Sequence, residues 1–92
     1  MSQNEFNDIH ENHIVDDYLQ FSVGDRAFIQ KFLFLDYLEV WNIEQWSRLR
    51  GTSLKDKIEA DMYLHVQAER YETAQLYRDV LERYKKDIQQ FG

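Results

Sequence analysis

Between positions 74 and 88 the side chains of Ala74, Tyr77, Leu81, Tyr84 and Ile88 recur at alternating intervals of three and four residues. That alternation keeps all five on one face of a helix, whereas the face of a strand would repeat every second residue. An amphipathic helix is held mainly by burial of its apolar face against other elements, and here a chain of 92 residues must supply them. No proline interrupts the pattern. Glu82 and Lys86 form a favourable i,i+4 pair, and Lys85 and Lys86 suit the negative end of a helix. The spacing predicts one helix over 71–89.

The preceding stretch repeats Leu54, Ile58, Met62 and Val66 every four residues, a stripe facing one direction. Thr52 and Ser53 stand ahead of it as caps, and Ser53 with Asp56 resembles a capping box with Asp in the place of Glu. A helix over 54–68 follows, joined to the last one by a short polar turn at Glu69 and Arg70. The pair makes an antiparallel helical hairpin over 54–89.

Residues 26–50 are the densest apolar segment. As a helix, the apolar residues from Phe28 to Ile43 wrap most of the circumference, which suits burial on several sides. As a strand, the aromatic and branched residues suit a pleated surface, although the length exceeds a usual strand and no partner strand is evident. A helix is expected, bent or broken near Asp36, with a strand within 28–43 as the alternative. Asp25 is the expected N-cap, Gly24 a turn residue, Gly51 the residue past the end, and Arg48 and Arg50 complement the helix terminus. Ile14, Val15, Tyr18, Leu19 and Phe21 space as a short amphipathic helix over 14–21. Of Phe32, Phe34, Tyr37, Trp41 and Trp46, most are expected in the core, with Trp46 the exception. The expected architecture is an all-α small helical bundle: a polar acidic segment over 1–13, then a single domain over 14–92 ending in the hairpin.

Charge is distributed unevenly. Residues 1–25 carry six acids and no Lys or Arg, so the whole net charge of −6 resides there and the rest of the chain is neutral. Without a basic stripe, direct binding to a phosphate backbone is not expected. Cysteine is absent, so disulfides and thiol chemistry are excluded. No apolar run approaches the roughly 18 residues that span a bilayer, and the acidic start lacks the basic residues of a signal peptide; the expectation is a cytoplasmic protein without membrane contact. His10 and His13, with Glu11, Asp16 and Asp17 nearby, sketch a metal site but lack a further ligand at defined spacing, so no metal is expected. His65 has no acid or nucleophile beside it and reads as a packed or surface histidine. No nucleophile, base and orienting group converge and no glycine-rich phosphate loop exists, so neither an enzyme nor a cofactor is expected.

Met62, the Tyr71-Glu72 step, Ala74, Arg78-Asp79 and Leu81 fall at the intervals of a known pattern. Over residues 62–84 the chain resembles the UVR motif, a helical hairpin found in excinuclease subunits B and C and in some Clp ATPases and their adaptors. It departs from that pattern at His65 and Val66, where the family has a pair of small residues, and at Gln75, where it has a second alanine. Bulkier residues there imply a wider packing of the two helices.

The resemblance implies a non-enzymatic adaptor or regulator. Such a protein docks on another protein through the hairpin and can pair with a like hairpin, a homodimer included. Its expected partner-binding residues are Tyr71, Ala74, Tyr77, Arg78, Asp79, Leu81 and Tyr84. An alternative rests on charge: a small acidic inhibitor that imitates DNA, as phage anti-restriction proteins do, with Asp16, Asp17 and Asp25 forming the acidic face toward a nucleic-acid-binding target.

Overall fold

A computed structural model describes residues 14–44 and 53–90 of the chain. They form four helices, α1 (Val23–Glu44), α2 (Leu54–Gln67), α3 (Tyr71–Arg83) and α4 (Lys85–Gln89), preceded by a 3-10 turn at Tyr18–Gln20. No strand occurs among the described residues, so the all-α class holds and 28–43 is helix. α1 passes Asp36 without interruption. His10, Glu11, His13, Trp46, Arg48, Arg50 and Gly51 lie outside the described residues, as do the side chains of Trp41 and Ile43.

Two helices start with the same device. The Ser53 hydroxyl accepts the Asp56 N–H at 3.1 Å, as the Ser-x-x-Asp pattern at α2 predicts. The same pattern opens α1, where the Ser22 hydroxyl accepts the Asp25 N–H at 3.1 Å. Ser22 therefore does the capping expected of Asp25, and Gly24 lies inside the first helical turn instead of in a loop. Asp25 still places negative charge at the positive end of α1.

α2 ends in a Schellman turn. The Arg70 N–H reaches the His65 carbonyl at 2.8 Å, and the Glu69 N–H reaches the Val66 carbonyl at 3.0 Å. This geometry puts Glu69 at φ 62°, the left-handed region that glycine usually occupies. The turn reverses the chain and lays α3 against α2 in the most extensive contact of the molecule.

The sequence predicts one helix over 71–89, but Tyr84 divides it, with φ −106° and ψ 26°. The hydrogen bonds bridge the break, since the Tyr84 N–H donates to Val80 and the Ile88 N–H donates to Tyr84. The cause is packing: the Tyr84 ring stacks on Phe34 of α1, centroids 4.2 Å apart and 6° from parallel. The change of direction also brings Ile88 into the core.

The helix expected over 14–21 is instead a strap with one 3-10 turn. Two of its backbone donors go to α3 side chains, the Val15 N–H to the Thr73 hydroxyl at 2.9 Å and the Leu19 N–H to the Glu72 carboxylate at 2.8 Å, while those of Tyr18, Gln20 and Phe21 close local turns. Arg26 of α1 holds the carbonyls of Leu19 and Phe21. These tertiary bonds replace a local helical ladder.

The stripe of α2 also differs from expectation. Leu54 and Ile58 are buried, but Met62 is half-buried and Val66 is 37 % exposed, whereas Asp61 and His65 are completely enclosed. A four-residue repeat drifts about 40° per step around a helix, so Val66 is turned about 120° from Leu54, while positions 54, 58, 61 and 65 stay aligned. The core is therefore partly polar. The Tyr37 hydroxyl of α1 donates to Asp61, which also takes Lys57 Nζ at 2.9 Å. Tyr77 of α3 meets the Tyr37 ring edge-on at 6.2 Å and the His65 ring at 4.8 Å. Nearer the strap, the Tyr18 hydroxyl donates to Asp79 at 2.5 Å and accepts Gln30 Nε2 at 2.6 Å. Phe34 and Tyr37 are core as expected, but Phe32 is 53 % exposed.

Two predictions follow from this packing. Glu69→Gly should raise stability toward urea by up to about 1 kcal/mol, whereas Glu69→Val should lower it by at least as much, because only glycine relieves the left-handed backbone. Equal losses in both would contradict the turn. Burial also suppresses tyrosine ionisation: Tyr18 is pushed up to about 12 by burial and by its bond to Asp79, and burial raises Tyr37 and Tyr77 further. A raised folded pKa stabilises fully below the unfolded value near 10 and is lost as pH rises toward the folded value. Tyrosinate absorbance should therefore show a late phase above pH ~10 that coincides with loss of helical dichroism.

Candidate functional site

The inner faces of α2 and α3 form the core, and their outer faces leave an open groove of about 570 Å³ between them. α2 contributes Glu59, Met62, Tyr63 and Val66, spaced i, i+3, i+4 and i+7. α3 contributes Tyr71, Ala74, Gln75, Arg78 and Leu81 at equivalent spacing. Each wall is thus a helical stripe beside the one that faces the core, and Met62, Ala74 and Leu81 lie where the two meet. Met62, Val66, Ala74 and Leu81 supply apolar surface to the groove. Tyr63 and Tyr71 stand at 58 % and 64 % exposure, and Glu59 and Arg78 place opposite charges on opposite walls.

An apolar groove with exposed tyrosines and a guanidinium has the composition of a protein-binding surface. Arg78 is already loosely paired with Glu82 on its own helix, Nε to Oε1 3.7 Å, and both side chains are largely exposed. Such a pair contributes little and leaves the guanidinium available to a partner's carboxylate. A smaller cavity of about 250 Å³ adjoins the groove at Leu81, with Ile88 on its floor and Lys55 and Lys85 among its walls.

The residues expected to meet a partner separate into two groups. Tyr71, Ala74, Arg78 and Leu81 line the groove. Tyr77 is fully buried among Tyr37 and His65, Asp79 accepts from Tyr18 and from Gln75 Nε2, and Tyr84 is half-buried against Phe34. These three residues hold the fold. On the alternative acidic face, Asp16, Asp17 and Asp25 are all exposed. Asp16 accepts the Thr73 hydroxyl at 3.4 Å, Asp17 precedes the 3-10 turn, and Asp25 sits in the first turn of α1. Glu59 and Tyr63 belong to the groove without having been singled out, and Val66, read as part of the core stripe, borders it. Their shared spacing was the available signal, hidden because Tyr63 and Glu59 do not read as an apolar stripe. No cluster of His, Cys, Asp or Glu able to hold a metal occurs among the described residues, and no helix among them is long and apolar enough to cross a membrane.

The departure from small residues at His65 and Val66 has a structural counterpart. His65 points inward against Tyr77, and Val66 borders the groove.

Burial distinguishes scaffold from surface in a direct experiment. Tyr77→Ala should cost about 3–5 kcal/mol of stability by opening a cavity in the core. Arg78→Ala, one position along, should change it by no more than about 0.5 kcal/mol. Denaturant titration of both variants checks this, and equal effects would contradict the assignment of faces.

The family described as UvrB/uvrC motif matches residues 52–87, which is less than half of the chain. The matched segment runs from the cap of α2 through α3 into α4 and so contains both walls of the groove. No curated protein and no solved structure matches the chain. The motif is a small interaction motif and not a catalytic domain.

Proposed function

We propose that this chain, whose hairpin matches the UvrB/uvrC motif, is a non-enzymatic adaptor or regulator that docks on another protein through the outer groove of α2 and α3. The observation that carries this reading is the apolar lining of that groove, left uncovered by the other described residues, of which α1 and the strap pack on the core side of the hairpin. The groove suits an amphipathic helix, laid along it with small apolar side chains between Val66 and Ala74 and an acid near Arg78. A like hairpin on another chain is the occupant that the motif implies.

The acidic-inhibitor reading makes the opposite demand, because its contact would be electrostatic and would use Asp16, Asp17 and Asp25. Affinity capture with the full chain, washed at low and high salt, separates the two. Under the docking reading a bound protein survives high salt and is lost with Val66→Asp or Tyr71→Ala, both at exposed positions that leave helical dichroism unchanged. The triple replacement of Asp16, Asp17 and Asp25 by Asn should leave it bound. A partner indifferent to the groove substitutions, yet released by salt and by the triple variant, would overturn the docking reading.

A further inference from the structure

α1 carries an apolar face that nothing among the described residues covers. Phe28 is 62 % exposed, Phe32 53 % and Leu35 47 %, and the two phenyl rings pack edge-on at 4.7 Å. This face is distinct from the hairpin groove, because α1 meets α3 through Phe34 and Tyr37 on the side of Tyr77 and Tyr84. Solitary exposed apolar residues are ordinary, but three together on one rigid helix are a contiguous patch.

Two charged residues of this patch, Lys31 and Glu39, are placed symmetrically about Leu35. Lys31, Leu35 and Glu39 form one i,i+4 row, with the apolar residue in the middle and opposite charges one turn to either side. Phe28 and Phe32 occupy the neighbouring row. In the commonest mode of helix packing the i,i+4 rows of two helices lie alongside one another. When the second helix is a reversed copy, with Leu35 against Leu35, Lys31 of each copy faces Glu39 of the other. The row is complementary to itself, which a surface adapted to an unrelated partner has no reason to be.

We propose that a second copy of this chain docks on that face, α1 against α1, antiparallel about a two-fold axis at Leu35. Two apolar rows then enclose the axis and two Lys31–Glu39 pairs flank it. α1 has 22 residues and is about 33 Å long, enough for such a crossing. The exposed parts of Phe28, Phe32 and Leu35 total roughly 300 Å², short of the about 800 Å² per partner of a standard complex, so the dimer is a weak one.

Sedimentation velocity of the full chain up to about 100 µM reads the outcome directly. The wild type should show a reversible dimer, and Leu35→Glu, which sets two carboxylates together on the axis, should be monomeric with unchanged helical dichroism. Lys31→Glu and Glu39→Lys should each weaken association by about tenfold or more, and the double exchange should restore it, because the charges then pair in the opposite sense. A wild type that stays monomeric, a dimer that survives Leu35→Glu, or a double exchange that fails to restore association would each overturn the proposal. The chain has no cysteine, so Leu35→Cys offers a milder check. Oxidation should cross-link two copies through that one thiol, and a thiol at Gln67 should not form the bond; equal cross-linking at both would also overturn it.

Discussion

The carboxylate of Asp61 is the constraint around which the rest of the structure is arranged. It is 1 % exposed, and a buried charge is tolerated only where it is paired and hydrogen-bonded. Lys57 supplies the charge from one turn earlier on α2, and the Tyr37 hydroxyl supplies a donor from α1. Lys57 balances the charge, and the Tyr37 hydroxyl carries a hydrogen bond to it across from α1, so α1 and α2 are tied together at this point. Asp79 repeats the arrangement on α3, where it accepts from Tyr18 of the strap and from Gln75. The N-terminal half of the molecule is thus fastened to the hairpin twice by the same chemistry, a tyrosine hydroxyl donating to an aspartate.

That chemistry explains which parts of the fold were legible in the sequence. Periodicity reports apolar faces, so the hairpin, its turn at Glu69 and the Ser53 cap could be read from spacing alone. A core face built half from Asp61 and His65 is invisible to the same reading, and the four-residue stripe through Met62 and Val66 led toward the groove instead. The strap was read as a helix because Ile14, Val15, Tyr18 and Leu19 have helical spacing. The Val15 and Leu19 N–H groups find Thr73 and Glu72, more than 50 residues away, and no local pattern records such bonds. The break at Tyr84 arises in the same way, from a stacking partner on a different helix.

The candidate site was legible to the same degree and for the same reason. On α3 the apolar face read from the sequence spans about 80° of the helix, from Ala74 to Tyr84, which is wide enough to serve two surfaces. Tyr77 and Tyr84 lie on the side toward α1, and Ala74 and Leu81 on the side toward the groove. Spacing alone cannot divide such a face, because the division depends on where α1 packs.

The polar fastening also bears on how the hairpin works. Two helices of 14 and 13 residues lie near the length at which isolated helices are marginal in water, so a hairpin of this size needs tertiary support. Among the described residues the support comes from α1, the strap and α4. The largest buried side chains of the hairpin, Tyr77, Leu76 and Ile58, lie away from the groove, while Met62, Ala74 and Leu81 serve both the core and the groove. Under the docking proposal, a groove already supported from behind would lose little conformational entropy when filled, so that a small apolar surface would suffice.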